Sequence, residues 1–142
     1  MVARLLMRLL FGPMLWTYRA FGQRVRVQGR PLLLLNTVGA RSGRPRRALL
    51  GWFPDERPGS YLVAAAAAGS RSHPAWYLNL ARHPDRASIE IGGRVLPVRA
   101  ESLSDAEREV AWRHIVELAP RYASHAAATD RTIPVVRLTA TG

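Results

Sequence analysis

The pattern of apolar positions changes its period several times along this chain, and each period implies an element. In residues 1–21 the apolar Val2, Leu5, Leu6, Leu9, Leu10, Phe11, Met14, Leu15 and Trp16 have Arg4 and Arg8 between them. That reads as a basic amphipathic helix, with Gly12-Pro13 as its kink. Residues 24–28 alternate with period two, as a short strand does. Residues 31–37 are a continuous apolar run, consistent with a buried strand. After a Gly/Ser/Arg turn, residues 46–53 read as a second strand, and residues 54–59 as a hairpin loop. Residues 61–68 begin as a third strand, although their alanine run has no β-propensity of its own. Side chains that small let something flat approach the backbone closely.

In the second half, Pro74 fits the first position of a helix that stops before Pro84. Residues 87–91 and 94–100 alternate around Gly92-Gly93, a two-residue hairpin signal. Pro97 marks an edge strand or a bulge. Ser104-Asp105-Ala106-Glu107 has the form of a capping box. It opens a helix that carries Val110, Ala111, Ile115 and Leu118 and ends by Pro120. Residues 134–139 make a last strand. The sum is an α+β domain: six to seven mostly antiparallel strands closed into a small barrel, with helices packed outside. Residues 1–21 form the N-terminal basic amphipathic helix and residues 22–142 the barrel.

Charge changes this picture more than composition does. Residues 1–54 hold ten arginines and no acid; residues 55–142 hold eleven arginines against ten acids. Nearly all of the net +11 therefore sits in the first 54 residues. Every basic residue is arginine, which a GC-rich genome explains for most positions; selection for anion-clamping guanidiniums applies to a few. Inside the basic part, Gly39-Ala40-Arg41-Ser42-Gly43-Arg44-Pro45-Arg46-Arg47 directly follows the apolar run Leu32 to Leu35. A small-residue turn studded with guanidiniums suits a phosphate, because backbone N–H groups and bidentate arginine forks can surround its oxygens. The chain has no cysteine, which excludes a disulfide framework, a thiolate metal site and a cysteine nucleophile. Its four histidines have no metal-ligand spacing, so no metal is expected. No uncharged run reaches the ~18–20 apolar residues of a spanning helix. The N-terminal helix either lies on an anionic membrane surface or packs on its own domain.

Three segments together resemble the deazaflavin-dependent nitroreductase family of actinobacteria. They are Leu34-Leu35-Asn36-Thr37-Val38-Gly39-Ala40-Arg41-Ser42-Gly43-Arg44-Pro45-Arg46, then His73-Pro74-Ala75-Trp76-Tyr77-Leu78-Asn79-Leu80, then Thr129-Asp130-Arg131-Thr132-Ile133-Pro134-Val135-Val136. The resemblance implies a split β-barrel that binds coenzyme F-420, an 8-hydroxy-5-deazaflavin with a phospholactyl-oligoglutamate tail. An acid-free N-terminal third would attract that tail. The resemblance assigns the phosphate to Arg41 and Arg46, with the Ser42 hydroxyl and the Gly43 N–H completing the cradle, and leaves Arg44 and Arg47 facing water. Ala64, Ala65 and Ala66 would set backbone N–H and C=O groups against the ring edge. Pro74 and Trp76 would border the ring; Tyr77 and Asn79 would serve packing and helix-end hydrogen bonds.

The chain departs from the family pattern in places. Ala40 and Arg41 stand where the family usually has Arg-Lys, and Ala66 where better-studied members tend to have serine. Of the tyrosines that line the pocket of nitroimidazole reducers, only Tyr122 remains. Ala119, His125 and Ala128 stand at the other aromatic positions, so the pocket should be wider. The implied function is an oxidoreductase that passes a hydride from reduced F-420 to a flat electrophile, such as a quinone or conjugated enone. Protonation would come from solvent, Tyr122 or His125. Two other readings stand beside it. One is a non-catalytic protein that sequesters F-420 or a flavin-like cofactor. The other is a basic nucleic-acid-binding barrel, disfavoured because interleaved exposed aromatics are missing; no nucleic acid is expected. The expected location is the cytoplasm, or the inner face of the cell membrane.

Overall fold

The computed structural model describes the backbone of Arg26–Val27 and residues 30–142 in full. Eight strands form one sheet: β1 (Arg26–Val27), β2 (Arg30–Val38), β3 (Pro45–Gly51), β4 (Phe53–Pro54), β5 (Ser60–Ala64), β6 (Ala87–Ile91), β7 (Arg94–Ser102) and β8 (Val135–Ala140). Among the described residues three α-helices flank it: α1 (Ala75–Arg82), α2 (Asp105–Leu118) and α3 (Arg121–Ala127). Every pairing is antiparallel, and the curled sheet is the expected split barrel. The amphipathic helix expected over residues 1–21 lies outside the described residues. Among the described residues, no helix is long and apolar enough to cross a membrane.

The curl follows from one chain break. The strands run in the order β1-β2-β6-β7-β8-β5-β4, with β3 on the free side of β2. Among the described residues β3 pairs only with β2 and β4 only with β5, so they are edge strands at opposite sides of the sheet, and only Trp52 separates them in sequence. The single strand expected over residues 46–53 is therefore two strands that belong to opposite ends of the sheet. Trp52 donates its N–H to Pro31 O at 3.1 Å, while Phe53 pairs with Leu62 on β5. Arg30 fixes the crossing point: its guanidinium donates to Trp52 O through Nε and Nη2 at 3.3 and 3.0 Å and lies 4.6 Å over the Phe53 ring.

Alternation along the strands separates two apolar clusters. Leu33, Leu35, Val63, Ile89, Val98, Val136 and Leu138 pack with Leu80 of α1. Phe53, Leu62 and Val135 pack with Leu103 and with Ala111 and Ile115 of α2. Neighbours such as Val135 and Val136, or Leu62 and Val63, divide between the two, as a period of two requires. The four leucines of β2 are each at most 2% exposed, because β2 is paired along both edges and covered on both faces. The Gly92-Gly93 hairpin forms as expected, both glycines having φ near +60° to +75° (58° and 75°). Pro97 sits one residue before the β7–β8 ladder begins at Val98, where its missing N–H costs no ladder bond.

Two expectations change. Ser104 caps α2 without a side-chain hydrogen bond, so the capping box is not formed. Glu107 turns instead to Arg137 on β8. And the segment after Pro120, to which the residue pattern assigned no element, is the short helix α3.

Arg137 is 4% exposed. Its guanidinium donates to Asp55 Oδ2 and Oδ1, to Glu101 Oε1 at 2.8 Å and to Glu107 Oε2 at 3.1 Å. It thereby ties the β4–β5 loop, β7 and α2 to β8. Burial pushes the Asp55 carboxyl up, but hydrogen bonds from Arg137 and Ser60 outweigh it and hold the group below its ordinary 3.8. A carboxylate whose folded pKa is depressed stabilises the fold above its unfolded pKa and loses that contribution as pH falls through the folded value. Stability measured by denaturant titration should therefore decline below about pH 4. Arg137→Ala strands a buried carboxylate, and an expected loss of about 3–5 kcal/mol follows. Arg57→Ala, whose side chain is 61% exposed beside the same acids, should cost under about 1 kcal/mol. Equal effects of the two substitutions would refute this assignment.

Candidate functional site

The turn between β2 and β3 is built from its hydrogen bonds. Gly39 N–H donates to Arg44 O at 2.8 Å, and Gly43 N–H donates to Gly39 O at 3.0 Å. Gly43 has φ of 67°, in the left-handed region. A Cβ on Gly39 would lie 2.4 Å from Ser42 Oγ, so any side chain there would displace the Ser42 hydroxyl. The Ser42 hydroxyl accepts from Arg44 N–H at 3.2 Å and lies 3.5 Å from Arg46 Nη2. Asn79 of α1 holds the turn from below. Its Oδ1 accepts from Ala40 N–H at 2.9 Å and its Nδ2 donates to Thr37 Oγ1 at 3.1 Å. Asn79 and Thr37 are both buried, so the helix-borne Asn of the second motif braces the first.

Around this braced turn Arg41, Arg44, Arg46 and Arg47 are all exposed. None of them takes part in an ion pair among the described residues. Register separates them further: Arg46 lies opposite Thr37 and Arg47 opposite Asn36. Arg46 thus shares a face with the residue that Asn79 holds, and Arg47 points to the other face. One expected donor is corrected. The Gly43 N–H is spent on Gly39 O, so it is not available to a cradle; the N–H groups of Arg41 and Ser42 have no acceptor among the described residues.

The alanine segment is built from hydrogen bonds of its own. Ala64 ends β5 opposite Val135, and Ala65 N–H donates to Pro134 O at 2.9 Å. The strand expected over residues 61–68 stops there. Ala66 is right-handed, and Ala67, Ala68 and Gly69 follow with φ of 46°, 53° and 80°. Ala65 and Ala66 are buried. Their carbonyls are committed, because Arg131 donates to Ala65 O at 3.0 Å and to Ala66 O at 2.7 Å. It also donates to Ser70 O at 2.8 Å and lies 3.1 Å from His73 Nδ1. The N–H groups of Ala66, Ala67 and Ala68 have no acceptor among the described residues. So the backbone donors of this segment are open, while the carbonyls of Ala65 and Ala66 are not. In the sequence Arg131 stands only as part of the third motif; nothing in its spacing marks a side chain that reaches back some sixty residues.

Pro74 is the residue before α1 rather than its first residue, with extended ψ of 151°. Pro74 and Trp76 are half-buried. Trp76 packs against the cluster that contains Leu33 and Leu35 and meets Tyr77 edge-on at 6.4 Å. Tyr77 hydrogen-bonds Ser102 Oγ at 3.2 Å and carries the His73 ring at 4.9 Å.

Tyr122 and His125 sit one turn apart on α3, rings 5.3 Å apart, with Phe53 5.4 Å from Tyr122. Burial pushes the Tyr122 phenol up, and the Arg30 charge opposes this. Burial and the charge of Arg121 push His125 down from 6.5. Both shifts favour the neutral forms, the phenol of Tyr122 and the uncharged imidazole of His125. Helix α3 docks closely: a Cβ on Gly69 would lie 2.8 Å from Ala128 Cβ and 2.9 Å from His125 O.

Residues 13–140 match the family model described as F420H(2)-dependent quinone reductase. An F420H(2)-dependent quinone reductase of Mycobacterium tuberculosis (strain H37Rv) is 35% identical over 128 residues, 86% of this chain and 84% of that protein. The structure of an F420-H2 dependent reductase (FDR-A) superposes with a TM-score of 0.67 at 38% identity, covering 80% of this chain and 98% of that one. A domain-swapped dimer gives 0.68 at 37% identity, covering 87% and 93%.

Two substitutions test the geometry without any ligand. Asn79→Ala should cost about 1–3 kcal/mol, since it orphans the buried Thr37 hydroxyl and the Ala40 N–H. Gly69→Ala combines a left-handed φ with a helix contact and should destabilise by at least about 1 kcal/mol. A thermal melt of either variant at the wild-type midpoint would contradict these contacts.

Proposed function

The chain belongs to the F420H(2)-dependent quinone reductase family, and from that membership we propose how its residues serve F-420-dependent reduction of a quinone. The observation that carries the reading is the braced turn with four exposed guanidiniums that no acid neutralises. The donor set fits the anionic tail of F-420. Arg41 and Arg46 take its phosphate, with the Ser42 hydroxyl and the N–H groups of Arg41 and Ser42, where the Gly43 N–H was expected. Arg44 and Arg47 add a diffuse positive field for the glutamate carboxylates.

When bound, the deazaflavin supplies the hydride. The wall from Ala64 to Ala66, with methyl groups only, lets the flat ring approach the backbone, and the open N–H groups of Ala66 and Ala67 receive its edge oxygens. Pro74 and Trp76 border the ring and exclude water from one side. Reduction of a quinone to its quinol consumes one hydride and one proton. Tyr122, neutral and half-buried, is the hydroxyl that hydrogen-bonds the quinone oxygen, with neutral His125 beside it; solvent replaces the proton. Ala66 in place of a serine leaves no further hydroxyl on this wall, which suits a wide substrate whose proton arrives from α3 or water.

Residues 1–21 carry the apolar and arginine pattern of a helix that lies on anionic lipid. That would bring the chain to where lipophilic quinones dissolve. Co-sedimentation with anionic vesicles should depend on those residues; equal binding by a chain that lacks them would end this part of the reading.

Fluorescence titration of F-420 beside FMN is the direct check. Saturable binding of F-420 is expected, with FMN weaker. Arg41→Ala and Arg46→Ala should each weaken it by about 1 kcal/mol, roughly fivefold in Kd, and more at low ionic strength. Normal binding by both variants would remove the phosphate assignment. With both α3 groups neutral, the rate of quinone reduction should stay flat from about pH 7 to 8. A fall across that window would identify a protonated histidine as the donor instead.

A further inference from the structure

The loop after β5 is strained, and besides its own backbone bonds from Gly69 N–H to Ala66 O and Ser70 N–H to Ala67 O one side chain binds it on both sides. Ala67 and Ala68 adopt φ of 46° and 53°, a region that costs an L-residue roughly 1–2 kcal/mol. Such strain persists only where surrounding structure over-determines it. Arg131 supplies that structure. It binds Ala65 O and Ala66 O on the near side of the strained pair and Ser70 O on the far side. The remaining acceptor is His73 Nδ1 at 3.1 Å. Burial and the Arg131 charge push His73 down from 6.5, so it is neutral and offers Nδ1 as a lone pair at neutral pH. All four acceptors are uncharged, and Arg131 has no acidic partner among the described residues.

The consequence follows from peptide planarity. In a trans peptide, the C=O of one residue and the N–H of the next point in opposite directions. A guanidinium that fixes Ala65 O therefore fixes the direction of the Ala66 N–H. By fixing Ala66 O it fixes the Ala67 N–H. Those are the donors without an acceptor among the described residues. We infer that Arg131 is a positioning residue: by clamping the carbonyls of Ala65, Ala66 and Ser70 it aims the Ala66 and Ala67 N–H groups at the bound ring. This rests on the cofactor reading above for what the donors receive, but the clamp itself does not.

The test uses the full chain with Arg131→Ala and Arg131→Lys. Amide hydrogen exchange over residues 65–73 reads the clamp without cofactor, and F-420 titration reads its effect. Loss of protection confined to that segment is expected in both variants, with Kd raised about tenfold or more for a lost set of charge-assisted hydrogen bonds. Lysine keeps the charge but has no planar fork to span three carbonyls. Added guanidinium ion, against sodium chloride at equal ionic strength, should restore binding to Arg131→Ala. Unchanged exchange in Arg131→Ala overturns the clamp. Wild-type affinity in Arg131→Lys reduces Arg131 to a point charge and also overturns it. If the wild-type chain does not bind F-420, the cofactor reading fails while the exchange result still decides the clamp. Should Arg131→Ala not fold, Arg131→Ala/Ala68→Gly, which relieves the left-handed strain, is expected to recover folding and weak binding. A double variant that folds and binds as the wild type does would show that strain relief alone suffices, and would overturn the aiming role.

Discussion

Everything in this molecule depends on one topological constraint: a single residue, Trp52, joins the two ends of the sheet. Because β3 pairs with β2 and β4 pairs with β5, the chain cannot pass from Gly51 to Phe53 unless the sheet curls far enough to bring its edges together. Arg30, over Phe53 and bonded to Trp52 O, fixes that crossing. The curl decides what lies next to what. It puts the end of β2, with its turn, on the side that α1 covers, and leaves the end of β5 free to turn away in the alanine loop.

Charge is distributed by the same logic. The ten acids fall after residue 54, and three of them gather on Arg137. Their negative charge is thus consumed on β8 and α2, away from the β2–β3 turn. The arginines there keep their charge because no acid of the described structure reaches them. Neither half of this arrangement needs the other for folding; an anion site needs both. Four of the ten arginines that precede Asp55 stand in this turn, so part of the +11 is concentrated in one uncompensated place.

The strands were legible where periodicity alone determines them. The buried run of β2, the Gly92-Gly93 hairpin and β8 all lie close to where the pattern of residues put them, and the resemblance of three motifs gave the barrel and its family. What was not legible depends on long-range contacts. The break at Trp52 is invisible because residues 46–53 are uniformly strand-like. The capping box failed because Glu107 finds a stronger partner in Arg137 than in a backbone N–H. Helix α3 was missed because its alanines carry no amphipathic stripe. In the candidate site, the arginine turn could be read from composition, yet the commitment of the Gly43 N–H and of the Ala65 and Ala66 carbonyls could not. Hydrogen-bond accounting needs partners, and those partners are far away in sequence.

Arg131 and Arg137 stand six residues apart and show two opposite uses of a guanidinium. Arg137 is surrounded by three carboxylates that more than offset its charge, and its work is to hold elements together. Arg131 is surrounded by carbonyls and a neutral imidazole; it organises backbone just as firmly but retains its charge. A fixed cation that is hydrogen-bonded to dipoles costs no reorganisation when negative charge develops nearby, and that is the condition under which electrostatic stabilisation is largest. A quinone that accepts a hydride becomes an anion before it is protonated. On the reading proposed above, a wall organised by Arg131 rather than by an ion pair would favour that anion. The same reasoning explains why the proton donor need not be charged. With positive charge already built into the scaffold, the proposed reading needs only a neutral hydroxyl and water to finish the quinol.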